Sequence, residues 1–121
     1  MCPMTEADTS EAVIEELQER VARAGLSEIV DIRVSAEGNG LALDLIRASE
    51  PGNGHADRVL VILTRLGDES QRDILLVVHA LEQGTDEQRL RLWYERHGFH
   101  DDLARGVNAM RRPPKRRSHD A

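Results

Sequence analysis

Aromatic side chains are nearly missing from this chain: Trp93, Tyr94 and Phe99 are the full complement, and they fall within seven consecutive positions. The core must therefore be aliphatic, and the segment 93–99 packs against something particular. Cysteine is as scarce. The lone Cys2 excludes an internal disulfide and sits in a polar terminus with nothing to activate it as a nucleophile. Sixteen cationic residues include a single lysine, Lys115. No apolar run approaches the roughly 20 residues needed to cross a bilayer. The start, Met1 to Glu6, lacks the basic and apolar regions of a signal peptide. A soluble, cytoplasmic protein with no membrane partner is expected.

The remainder has the balance of a single folded unit. With 121 residues and 40% apolar composition, there is room for one core. The expected organisation is a disordered N-terminus over 1–8, one domain over 9–112 and a basic disordered tail over 113–121. The formal charge of −6 is unevenly placed: Arg111, Arg112, Lys115, Arg116 and Arg117 crowd the C-terminus and leave the body more acidic than the total. An acidic body favours a cationic partner and makes nucleic acid an unlikely one. The tail, with two prolines and no aromatic residue, reads as a solvated end outside the core.

Hydrophobic spacing supplies the elements, and no internal repeat is present. Asp8 with Glu11 fits a capping box, and Ile14, Leu17 and Val21 recur at helical spacing, predicting a helix from Thr9 to Ala24 that stops at Gly25. Val30, Ile32 and Val34 alternate with polar residues, as do Leu41, Leu43 and Leu45 after the turn at 37–40, which predicts an antiparallel hairpin. A glycine-bearing stretch at 50–55 leads into a helix over 56–66. The apolar run Ile74 to Ala80 suits a central strand covered on both faces. Thr85 with Gln88 opens a helix that Gly98 ends, and Gly106 to Arg111 suits a short closing strand. The result is an α/β layered domain with an antiparallel start and a parallel centre.

A strand that feeds a glycine-bearing turn and then a helix exposes backbone N–H groups at the positive end of the helix dipole, an arrangement suited to phosphate. Gly52 and Gly54 allow close approach. An ordinary connection has the same composition, but no Lys-Ser/Thr follows as a P-loop requires, and the three-glycine dinucleotide fingerprint is incomplete. At this point the chain resembles the GNAT superfamily of N-acetyltransferases. In that family Gln/Arg-x-x-Gly-x-Gly/Ala joins the fourth strand to the third helix and wraps the coenzyme A pyrophosphate. Here the segment reads Pro51-Gly52-Asn53-Gly54-His55-Ala56, with Gly54 and Ala56 matching and Pro51 departing. A second match is Trp93-Tyr94-Glu95-Arg96-His97-Gly98-Phe99 after the central strand, where the family has Leu/Phe-Tyr-x-x-x-Gly-Phe. Glu87 stands where an Asn is usual. Met110-Arg111 looks like the closing strand, so the resemblance spans 41–112.

The resemblance implies a GNAT-like mixed sheet with an antiparallel N-terminal hairpin, splayed central strands and flanking helices. It implies acetyl-coenzyme A as cosubstrate, its pyrophosphate over Gly52, Asn53, Gly54, His55 and Ala56 and its pantetheine arm along Leu45, Ile46 and Ala48. It also implies Tyr94 at the sulfur as donor to the departing thiolate. A Tyr on a helix with its hydroxyl at the surface is the alternative reading of that residue. The acceptor amine needs a base; Asp44, Glu50 and His79 border the expected gap, and none is singled out. His97, His100, Asp101 and Asp102 have metal-like composition, but the helix ends between the two imidazoles and no metal is assigned. The family's longer N-terminal half is replaced by one helix and one strand, which leaves an open acceptor side suited to a protein lysine. Small members of this kind resemble those of phages and mobile elements, whose targets include host or defence proteins. A small amine, a catalytically silent module and a homodimer that completes the pocket remain open.

Overall fold

The computed structural model describes residues 10–38, 40–49, 53–78 and 87–115. Among them, α1 (Ser10–Arg23), β1 (Val30–Glu37), β2 (Gly40–Ala48), α2 (His55–Ser70), β3 (Ile74–Val77), α3 (Glu87–Arg96), β4 (His100–Asp101) and β5 (Ala109–Arg112) follow in order. The strands form one sheet in the order β1-β2-β3-β5-β4. Only β2 and β3 run parallel, with α2 between them; every other pair is antiparallel. This is the mixed, GNAT-like α/β architecture expected. No described helix is long and apolar enough to cross a membrane.

One aliphatic core sits on one face of the sheet. Val13, Leu17 and Val21 of α1, Val59, Leu60, Leu63 and Leu66 of α2, and Tyr94 of α3 all join it, as do alternate strand positions Leu41, Leu43, Ile74, Leu76 and Met110. Burial of this apolar area is the main stabilising term. The central strand is buried on both faces over Ile74, Leu75 and Leu76, as expected, with Leu75 6% exposed on the face opposite its two neighbours, and only Val77 at its end is open, at 46%. All three described helices contribute to the same core. The helix expected over 56–66 extends to Ser70, where Gln71 adopts a left-handed conformation and bonds back to Gly67 and Asp68. β4, too short to carry an alternating pattern, was not expected.

The C-terminal arginines require a further correction. Arg112, grouped by composition with a solvated basic cluster, is 4% exposed and belongs to the core. It pairs with Ile74 in the sheet, and its guanidinium is absorbed by partners described below. Arg111 lies 3.5 Å from Asp73 and 3.6 Å from Asp102. The Lys115 N–H donates to Asp68 Oδ1 at 2.8 Å, so the chain is held to α2 as far as that residue.

The feature that positions the site is a bulge. Arg33 pairs with Leu45 but Val34 pairs with Leu43, leaving Asp44 as an extra residue in β2. Inward side chains change parity there: Leu41 and Leu43 point into the core before the bulge, Ile46 and Ala48 after it. An extra residue bends its strand and strengthens the local twist. Pairing of β2 with β3 accordingly ends at Leu43 and Leu76, whereas β2 stays with β1 to Ala48 and β3 stays with β5 to Val77. Among the described residues, the ladder between the two central strands stops at the bulge.

Candidate functional site

The wedge beyond the end of the β2–β3 ladder is bordered by three of the residues expected from the sequence. Leu45, Ile46 and Ala48 form its β2 wall, beyond the bulge. Val77 and Val78 continue the β3 side, with the Val78 N–H donating to the Asn108 carbonyl at 2.9 Å, toward β5. The β2 edge that faces the wedge lacks a partner strand among the described residues. Asp44 is exposed and accepts a 2.8 Å hydrogen bond from Ser35 Oγ. Glu50 and His79, the other base candidates, lie outside the described residues, as do Pro51 and Gly52.

After the wedge the chain enters α2 through Asn53 and Gly54. Gly54 caps the helix at φ 77°, a left-handed conformation that favours glycine, and a Cβ there would meet no atom of the described residues within 4 Å. His55 and Ala56, the first helical residues, are half-buried, and His55 Nδ1 is buried without a hydrogen-bond partner among the described residues.

Tyr94 lies in the core at 9% exposure, its ring 5.6 Å from Phe99 and 5.1 Å from Trp93. Burial pushes its phenol up to about 12, so it stays protonated across the neutral range. An alkyl thiol has a pKa of about 8.5. Full proton transfer from this tyrosine to a thiolate is therefore uphill, and hydrogen-bond donation is the role its environment favours.

Asp57, not anticipated from the sequence, connects the helix start to Tyr94's helix. From the first turn of α2 its Oδ1 accepts Trp93 Nε1–H at 2.9 Å and lies 2.7 Å from His97 Nε2. The Trp93 bond first, then that of His97, holds the carboxyl below its usual range against a smaller opposing effect of burial. Being ionised, it makes the imidazole the donor. The sequence signal was modest: an acid in the first turn of a helix is ordinary on dipole grounds.

A second unanticipated node closes the far end of α2. Arg112 donates to Asp68 Oδ1 and Oδ2 at 2.8 and 3.2 Å and to the His97 carbonyl at 2.8 Å. Gly98, at φ 97°, lets the guanidinium in, because a Cβ there would approach Arg112 Nε to 3.0 Å. The glycine of the Trp-Tyr-x-x-x-Gly-Phe segment thus has a packing reason as well as a conformational one. His97 and His100 do not converge. The first is engaged with Asp57, the second is exposed on β4, and no described group of three or more His, Cys, Asp or Glu is placed to hold a metal.

No protein-family model and no curated protein matches the sequence. Among solved structures, the chain is similar to that of an anti-CRISPR protein, AcrVA5, with a TM-score of 0.61 over 69% of this chain and 90% of that one, at 17% identity. The likeness is one of fold. It covers nearly the whole neighbour.

Proposed function

We propose that the chain is an acetyl-coenzyme A-dependent N-acetyltransferase acting on a lysine of a protein acceptor. The wedge carries this reading. β2 carries a bulge at Asp44 beside a backbone edge with no partner strand among the described residues, a left-handed glycine stands at the start of the helix that follows, and a protonated phenol lies on the next described helix. A narrow pantetheine arm needs backbone partners in the gap, and a pyrophosphate needs N–H groups at its end. In the transfer, a bond would form between the amine nitrogen and the acyl carbon as the carbon–sulfur bond breaks, the amine's proton passing to solvent water and coenzyme A leaving as the thiolate, to which Tyr94 would donate a hydrogen bond.

A protein acceptor fits the surroundings. Leu103 and Val107, in the loop between β4 and β5, are 72% and 80% exposed, and Asn108 of that loop is bonded to Val78 at the wedge. Exposed apolar side chains beside an open site suit a macromolecule better than a small amine. The structural neighbour's description as an anti-CRISPR protein accords with a host or defence protein as target. A catalytically silent binding module is the second reading, favoured by the poor acidity of the buried Tyr94.

Thermal unfolding with and without acetyl-coenzyme A tests the common part. Ligand at a hundred times its Kd should add about 2.7 kcal/mol to stability, and Gly54→Val should abolish that gain by placing a Cβ where the phosphate would approach and straining the left-handed φ. No gain in the parent protein would overturn the cofactor assignment. Thiol release with a lysine peptide then separates enzyme from silent module. Tyr94→Phe should lower turnover about 10² to 10³-fold, and an unchanged rate would leave the tyrosine a packing residue.

A further inference from the structure

The sheet has two edges, and they are built differently. β4, at one edge, has two residues; β1, at the other, has eight and is unpaired on its outer side among the described residues. Long open edges invite pairing, and proteins blunt them with proline, lysine, bulges or inward charges. β1 reads Val30-Asp31-Ile32-Arg33-Val34-Ser35-Ala36-Glu37 and has no proline, lysine or inward charge, its bulge residue lying on β2 instead, although Asp31, Arg33 and Glu37 put charge on its outward face. Its apolar side chains point to the core side, where Val30 is buried but Ile32 and Val34 only half-buried. Asp31 and Arg33 stand exposed on the other face, 3.8 Å apart.

We infer that β1 pairs antiparallel with β1 of a second copy, centred on Ile32, to make a continuous ten-stranded sheet. Charge complementarity identifies the occupant. In a two-fold pairing about Ile32, each Asp31 faces the partner's Arg33 and each Val30 faces the partner's Val34. Over Val30 to Val34 each cross-strand pair is thus opposite in charge or apolar with apolar, which favours an antiparallel ladder over that stretch. A shift of one residue would set charges against apolar side chains.

A cavity of about 480 Å³ supports the same surface. It lies at this edge and not in the wedge, lined by Gln18 and Val21 of α1, by Ile29, Asp31 and Ile32, and by Arg47. A two-fold axis perpendicular to the sheet puts both sets of helices on the same face. The partner's strand then roofs the cavity, and the half-buried Ile32 and Val34 complete their burial. The inference is independent of the transferase reading, because it uses the outer edge of β1 and no residue of the wedge.

Sedimentation velocity on the full chain tests it. The parent should be a dimer at micromolar concentration. Asp31→Arg or Arg33→Asp alone sets like charges opposite each other in both symmetry-related pairs and should raise the dimer Kd roughly tenfold or more. The double variant Asp31→Arg/Arg33→Asp should dimerise like the parent, and an equal mixture of the two single variants should form the heterodimer. Both side chains are exposed, so circular dichroism should show each variant folded. A monomeric parent, or a dimer indifferent to the single reversals, would overturn the proposal.

Discussion

Helix α2 is tied down at both ends by an aspartate, and the two ties differ in kind. At the start, Asp57 is half exposed and holds Trp93 and His97. Near the end, Asp68 meets a guanidinium that is 5% exposed and bonded at every edge. Both carboxyls sit below their usual range, for different reasons. Around Asp57 the hydrogen bonds dominate and burial opposes weakly. At Asp68 burial is the largest single influence and pushes upward, and the Arg112 bonds with the Lys115 N–H outweigh it. Water can replace a partner at the first site and cannot easily do so at the second. The far end therefore serves stability, and the near end serves geometry beside the wedge.

Breaking the buried tie should have the largest effect. Arg112→Ala leaves Asp68 ionised without its partner and the His97 carbonyl without a donor, and should cost about 3–5 kcal/mol. The check is a urea titration, with a loss under 1 kcal/mol showing that solvent replaces the guanidinium. Truncation sharpens the point. A chain ending at Lys115 should be as stable as the parent, whereas one ending at Arg111 should behave like Arg112→Ala or worse. Next in size is Gly98→Ala, which combines a strained φ with a 3.0 Å approach to Arg112 Nε and should cost about 1–3 kcal/mol. Combined with Arg112→Ala it should cost less than the sum, because the crowded neighbour has gone; strict additivity would show that the two sites do not meet.

The contrast also marks what the sequence could reveal. Helical and alternating periods found α1, the hairpin, α2 and α3, because each buries one face against a common core. The glycine loop and Trp93 to Phe99 were legible as motifs, since they depend on local backbone conformation. Arg112 was not: among neighbouring arginines nothing distinguishes the one that threads under Gly98, and its partners lie 15 and 44 residues away. The bulge left a trace that strand alternation obscured. Leu41, Leu43 and Leu45 keep one parity while Ile46 and Ala48 keep the other, and consecutive apolar residues at 45 and 46 mark where the parity breaks.

Acid should act on both ties and discriminate between them. Each aspartate has a folded pKa below its unfolded value of about 3.8, so each contributes stability that is present above that value and lost as pH falls through the folded pKa. The Asp68→Asn variant should be less stable than the parent at pH 7, and the difference should shrink below pH 4. A difference constant with pH would mean that the pair contributes shape and not charge.

The smallest effect on stability is expected at Asp57, where it is also the most informative. Asp57→Asn keeps a carbonyl oxygen for one donor and loses the charge, so at this half-exposed position it should change stability by less than about 1 kcal/mol. Trp93 is the single tryptophan and its indole N–H is bonded to this carboxylate, so its fluorescence reports on the tie directly. In the parent, emission should shift as pH falls below about 3.8, and in Asp57→Asn that shift should be absent while the fold persists. If Asp57 aligns the helix start with Tyr94, the variant should also lower kcat or weaken acetyl-coenzyme A binding several-fold, since small displacements near reacting groups are costly. Glutamate at the same position should recover part of the loss by restoring the charge. An altered tryptophan signal with unchanged turnover and affinity would separate the tie from the chemistry, leaving Asp57 a surface clamp and the wedge independent of it.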